Sequence, residues 1–358
     1  MVTQYASWKW IFHLVAIISL AITVIAYFII PPPATNRPKK NITLDYFGAF
    51  LITTSLILLI FTLSQGNSGA GGWHAPYIPS LILVCVILFM IFVGWEWWLE
   101  HKTQNEPLMR LSLWNHRGFT MSMIVTGFFW ASFNNYMVYA TFLYVFLPLI
   151  RVLVLIKCSY QDFLHLSPIA TTLRFLPTGI GGALITVVSG YLLSRVPGQH
   201  LLLVGATCTA FSSVLMAAPI PPETSYWAFG FEAMVLAVMG ADTIYPCLSL
   251  YTTSSMPMKD QALAGGIFNT VAQVGRAIGL ALVTAVDVSV REGGGNVLGD
   301  LPPNKNKKDN LEEWVELAGI RTSQWVNVGF ALIALVAVIY GLRNIGKVGA
   351  AKPDADET

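Results

Sequence analysis

LAGGIFNTVAQVGRAIGLAL, residues 263–282, is twenty residues long and carries a single charge, Arg276. Twenty predominantly apolar residues wound into a helix rise about 30 Å, the thickness of the hydrocarbon core of a bilayer. At about 100° per residue, Asn269, Gln273 and Arg276 fall on one face of that helix. Ala272, Gly275 and Gly279 fall on the neighbouring face, and the Gly-x-x-x-Gly spacing lets another helix approach closely. An arginine turned toward lipid near the bilayer centre costs about 2.5–3.5 kcal/mol, so Arg276 is expected to face protein or water. Two readings stay open for it: the wall of a polar cavity, or an ion pair holding two helices together.

The rest of the chain agrees with a membrane reading. Of 358 residues, 55% are hydrophobic and 11% charged, where soluble domains carry about 25% charged residues. Mean hydropathy is +0.62. A net charge of +2 offers nothing for a nucleic-acid partner. A template of about 20 apolar residues finds nine spans, roughly 8–30, 46–63, 77–98, 119–147, 168–194, 201–219, 226–251, 262–290 and 323–342. The first is too long for a signal-peptide core and lacks a cleavage site, so it reads as a true span. Tryptophans gather at span ends (Trp8, Trp10, Trp95, Trp97, Trp98, Trp114, Trp227, Trp325), as an interfacial belt requires. Trp130 falls in mid-span.

Basic residues set the orientation. Arg37, Lys39, Lys40, Lys102, Arg110, Arg117, Arg195, Lys259, Arg343 and Lys347 fall in one set of alternate loops. The opposite loops 64–76 and 219–226 have no Lys or Arg. The first set is therefore expected in the cytoplasm, with the N-terminus outside. Loop 291–322 carries both signs and, being long, weighs little.

Several stretches resemble, in order, one family. SWKWIFHLVAIISLAITVIAYFIIP (7–31) resembles the opening of the sixth span of the 14-span drug:proton antiporters of the major facilitator superfamily, the fungal-type multidrug and toxin exporters. LRFLPTGIGG (173–182) resembles the start of its tenth span, SGYLLSRVPGQH (189–200) the basic loop that follows, and QALAGGIFNTVAQVGRAIGLA (261–281) its thirteenth. In the loop motif Gly190, Arg195 and Gly198 match, whereas Ser194 stands where the family has an acid. The resemblance implies an all-α polytopic bundle entered after the fifth span. It comprises one span of an N-terminal half (8–30), two linking spans (46–98), a C-terminal six-helix half (119–342) and a cytoplasmic tail (343–358). LIRVLVLIKCSY (149–160) fits no expected outer loop: it either prolongs the preceding helix or is translated non-coding sequence, the latter being favoured.

The function implied is secondary active, proton-coupled export of small organic molecules, drugs or toxins, with lipid and protons as further partners and no cofactor. The membrane would be the plasma or vacuolar membrane. A missing N-terminal half would be a partner, and the alternative is a non-transporting membrane scaffold or inactive fragment. Site candidates come from the residues. Asp242, Tyr245 and Ser249 share a face of a span broken by Pro246. Asp242 is the expected partner of Arg276 or, alternatively, a proton carrier. Trp130, Asn134, Asn135, Tyr136 and Tyr139 lie in one span; Asn135 and Tyr139 stack at i, i+4, fit for a semi-apolar ligand or for bonds between helices. The expected wall is thus Asn135, Tyr139, Asp242, Tyr245, Asn269, Gln273 and Arg276. Glu232 and Asp287 read as interfacial. The four cysteines and six histidines have no metal spacing, GAGG (69–72) lacks the lysine of a phosphate loop, and no nucleophile–base group marks an enzyme.

Overall fold

The computed structural model describes residues 9–29, 45–68, 72–103, 107–155, 168–218, 226–299, 305–343 and 345–348. Every regular element among them is helical: α1 (Lys9–Ile29), α2 (Tyr46–Ser68), α3 (Tyr77–Lys102), α4 (Arg117–Leu155), α5 (Pro168–Leu193), α6 (Gly198–Ala217), α7 (Tyr226–Ser254), α8 (Gln261–Gly299) and α9 (Lys305–Gly341). Two short 3-10 turns, Gly72–His74 and Leu111–Asn115, join α2 to α3 and α3 to α4. The nine helices fall on the nine expected spans. Seven contain a stretch long and apolar enough to cross a membrane: all but α4 and α5, the described apolar part of α5 being the shorter Thr178–Leu193.

The first part of helix α4 is enclosed. Its Ser122, Thr126, Ser132 and Asn135 are buried among Phe119, Met123, Val125 and Phe129 rather than turned outward. The helix packs along α8 and α9, and α9 in turn along α6 and α8. The pairs α6–α7 and α5–α7 complete the bundle. Ser132 Oγ donates to the Asn327 carbonyl at 2.9 Å and Ser323 Oγ to that of Val283 at 3.3 Å, so buried hydroxyls stitch α4, α8 and α9.

Glycines set the closest approaches. A Cβ on Gly275 would collide with the backbone of Gly127, and one on Gly279 would stand 2.6 Å from Ala131 Cβ. The small-residue stripe of α8 therefore packs on α4, as its spacing predicted. Gly205 and Gly240 do the same between α6 and α7, where a Cβ on Gly240 would lie 3.0 Å from the Gly205 carbonyl oxygen.

Helices α2 and α3 form an antiparallel hairpin. On α3 the seam recurs every seventh residue, at Ile78, Cys85, Phe92 and Leu99, and meets Leu51, Ser55 and Thr62 of α2. Ser55 Oγ donates to the Cys85 carbonyl at 3.2 Å and Cys85 Sγ to that of Ser55 at 3.3 Å. The hairpin joins the bundle where α2 touches α8. The apolar stretch Phe12–Ile29 of α1 has none of its residues buried within the described chain.

Two expectations about loops change. Residues 291–322 are helical except for 300–304, which lie outside the described residues. The run from Lys305 to Ala318 has no Pro or Gly and is rich in Lys, Leu and Glu, so α9 begins well before its apolar part. Helix α4 continues unbroken to Leu155, so the first seven residues of the unusual 149–160 stretch prolong it. Residues 156–160 lie outside the described residues.

Candidate functional site

Helix α8 carries its polar stripe on an accessible face. Asn269 and Gln273 are exposed and Arg276 is half-buried. Asn269 Nδ2 donates to the Gly265 carbonyl one turn back, at 3.0 Å, and Arg276 Nη1 to Gln273 Oε1 at 3.4 Å. The Arg276 guanidinium lies over the indole of Trp130, with Cζ 3.8 Å from the ring centroid. Cations are drawn to the electron-rich face of Trp more than to other rings. Trp130 is held in turn by aromatic edges: Phe129, Phe133 and Tyr245 meet it at centroid distances of 5.5, 5.8 and 5.8 Å. Tyr245 also leans on Phe268, at 5.7 Å. Three helices, α4, α7 and α8, thus build one patch of aromatic rings around a single cation. Arg276 Nε is buried in it without a hydrogen-bond partner.

The expected Arg276–Asp242 ion pair is not formed. Asp242 and Tyr245 are three residues apart, so their side chains diverge by about 60° around α7. That angle is enough to send Tyr245 to α4 and α8 and Asp242 to α5. There the Asp242 carboxylate lies beside Gly182, where a Cβ would stand 2.9 Å from Oδ2. Asp242 is half-buried and has no ion-pair partner among the described residues. Ser189 of α5 and Thr243 of α7 approach to 3.4 Å alongside.

Asn135 and Tyr139 are not on the accessible patch. Asn135 is 0% exposed, its Nδ2 donates to the Ala131 carbonyl at 2.6 Å, and it presses on Gly279. Tyr139 is 2% exposed and packs with Val283 and Ile320, its hydroxyl in reach of Thr284 and Ser323. Tyr139 reaches hydroxyls of two neighbouring helices, whereas the Asn135 bond stays within α4 and its Oδ1 is buried without a partner. Asp287, near the end of its span, is buried against its neighbours and receives Arg291 Nε on Oδ1 at 2.9 Å.

The loop motif is split between roles. Gly190 has open space around it. Arg195 is exposed and stacks on Tyr191, Cζ 3.9 Å from the centroid, so it has a partner without the family's acid. Gly198 is structural: its N–H donates to the Gly346 carbonyl at 2.9 Å, and a Cβ would stand 2.6 Å from Val348. Trp130, Phe129, Phe133 and Phe268 belong to this ring cluster without having been among the expected wall residues. The signal for Trp130 was its place in mid-span, away from the interfacial belt. For Phe268 there was none, since it is one apolar residue in an apolar helix.

Comparisons with known proteins agree with this architecture. A low affinity ammonium transporter of Saccharomyces cerevisiae is 27% identical over 303 residues, 83% of this chain and 54% of its own. An efflux pump of Aspergillus terreus, terJ, is 22% identical over 344 residues, 95% and 58% of the two chains. MFS-type transporter 1 of Pyricularia oryzae is 29% identical over 325 residues, 89% and 50%. The chain spans about half the length of these curated relatives. The sequence model described as Major Facilitator Superfamily matches residues 1–280, and with that match over most of its length this all-helical, multi-pass membrane chain belongs to the superfamily.

Proposed function

We propose that the chain serves proton-coupled export of small organic molecules, in the manner of the 14-span antiporters its motifs resemble. The observation that carries this reading is the patch of Trp130, Tyr245, Gln273 and Arg276 on the accessible face of α4, α7 and α8, backed from the core by the buried Phe268. In two-half transporters the substrate is held between helix bundles near the bilayer midplane, and rocking of the halves exposes it to each side in turn. An aromatic platform with one cation and one amide suits a flat, semi-apolar solute. The charged guanidinium of Arg276, beside the Gln273 amide, suits a solute carrying an acceptor, a carbonyl or carboxylate. Asp242, without a cation beside it among the described residues, supports the proton-carrier reading over a permanent ion pair. That terJ is named an efflux pump supports the direction of transport.

The test is proton-driven flux of a fluorescent aromatic carboxylate in reconstituted vesicles, at matched protein levels. Accumulation driven by an imposed pH gradient, lost in Arg276→Ala and weakened in Trp130→Ala, is the expected result. Flux equal to that of protein-free vesicles would leave a non-transporting membrane protein as the better reading.

A further inference from the structure

At the end of the α2–α3 hairpin that meets the α3–α4 linker, two carboxyls stand together. Asp45 caps α2: its Oδ1 accepts the Gly48 N–H at 2.9 Å, and both its oxygens accept Trp95 Nε1, at 3.1 and 3.2 Å. Glu96, the next residue on α3, is 0% exposed. Its Oε2 accepts the Met109 N–H of the linker at 3.2 Å. Its Oε1 is buried and has no donor. That orphan oxygen points at Asp45. A Cβ on Gly48 would touch Asp45 Oδ2 and lie 2.9 Å from Glu96 Oε1, so the two oxygens converge over the one residue that leaves them room. The side chains are within hydrogen-bonding reach of each other.

The other charged groups nearby are engaged elsewhere or turned outward. Glu100, a turn along α3, accepts the Leu111 N–H at 2.9 Å and the Ser112 N–H at 3.3 Å. Arg110 of the linker reaches Asp260, before α8, with Nη1–Oδ1 at 3.0 Å. His101 stacks on Trp97, and Lys102 and Lys259 are exposed. Among the described residues no cation stands in ion-pair range of Asp45 or Glu96.

We propose that Asp45 and Glu96 form a proton-binding site in which one proton, held between Asp45 Oδ2 and Glu96 Oε1, clasps the hairpin to the α3–α4 linker. Two ionised carboxylates this close repel, and one of them takes up a proton to share. With the proton in place every polar atom of the pair has a partner. When it leaves to water, two negative charges face each other, Glu96 is pushed off, and the Met109 bond that ties the linker to α3 is lost. This site lies on the hairpin, apart from the Trp130–Arg276 patch, and its existence does not depend on what that patch binds.

The test uses the full chain in lipid nanodiscs. Infrared difference spectra recorded between low and high pH are expected to show a carboxylic-acid C=O band that titrates away, absent in Glu96→Gln and retained in Glu100→Gln. Hydrogen exchange, corrected for its intrinsic pH dependence, is expected to show the Met109 amide losing protection about tenfold once the band has gone, as for a net hydrogen bond of about 1.4 kcal/mol. In Glu96→Gln the amide donates to Asp45 in place of the proton, so protection is expected to stay constant across the same range. No titrating band, or a band that persists in Glu96→Gln, would overturn the proposal. So would Met109 protection that is independent of pH in the wild-type chain.

Discussion

A guanidinium placed over an indole still has N–H groups for hydrogen bonds, and Arg276 uses one of them on Gln273. Lysine has no planar guanidinium, so Arg276→Lys is expected to behave like Arg276→Ala in substrate binding. Loss of a cation–π contact of about 0.5–2 kcal/mol predicts a KM roughly 2- to 30-fold higher for Trp130→Ala, measured as initial flux against substrate concentration. A KM unchanged within error would remove Trp130 from the site. Asp242→Asn is expected to abolish accumulation against a gradient while sparing downhill exchange, because the amide holds no transferable proton. Uphill transport by Asp242→Asn would end its role as carrier. Since Arg276 and Asp242 share no described partner, their alanine substitutions are expected to act additively on thermal stability, coupled by less than about 0.5 kcal/mol. The stripe Asn269–Gln273–Arg276 was legible because periodicity places residues on a face of their own helix. The partner was not, because nothing in that periodicity says which residue of another helix stands opposite, and Trp130 took the place expected of Asp242.

On the scale of the helix, α8 divides its circumference between two tasks, and its glycines show where the division falls. Gly275 and Gly279 press on Gly127 and Ala131 of α4, while Gly266 has no atom within 4 Å of where its Cβ would be. Gly275→Leu is therefore expected to destabilise the fold by about 1–3 kcal/mol or more, since the obstacle is backbone rather than a movable side chain. Gly266→Ala is expected to be neutral or slightly stabilising, helix propensity favouring alanine by about 1 kcal/mol. Thermal unfolding followed by tryptophan fluorescence in detergent compares the two, and equal midpoints would contradict the assigned faces. The small-residue stripe could be read from its spacing because close approach requires small residues. Asn135 and Tyr139 could not be resolved in that way: an amide and a phenol one turn apart serve equally well to hold a ligand or a neighbouring helix. In the structure both side chains lie buried where α8 and α9 enclose α4.

Across the whole molecule, the basic loops gather at one end. The start of α4 meets the end of α7 through Gly118 and Tyr251, and the end of α9 through Met121 and Gly341. The α3–α4 linker reaches the turn before α8 through Arg110 and Asp260, and the α5–α6 turn reaches the segment after α9 through Gly198 and Gly346. Lys102, Arg110, Arg117, Arg195, Lys259, Arg343 and Lys347 all stand at these junctions. The described turn at the other end of the hairpin, 72–76, has no lysine or arginine. By the positive-inside rule the basic end is expected in the cytoplasm. Asn41-Ile42-Thr43, the one glycosylation sequon of the chain, lies outside the described residues, in the loop whose basic residues Arg37, Lys39 and Lys40 the rule assigns to the cytoplasm. It is expected to remain unmodified in the secretory pathway, and a glycosidase-sensitive mass shift abolished by Asn41→Gln would reverse the orientation. An independent readout comes from cysteines introduced at Trp73 and Lys347. A membrane-impermeant maleimide added to intact cells is expected to label Trp73→Cys and to reach Lys347→Cys only after permeabilisation. The opposite labelling would place Lys102, Arg110 and Arg117 outside, against the force that sets their side, and the reading of α2 through α9 would have to be inverted as a unit.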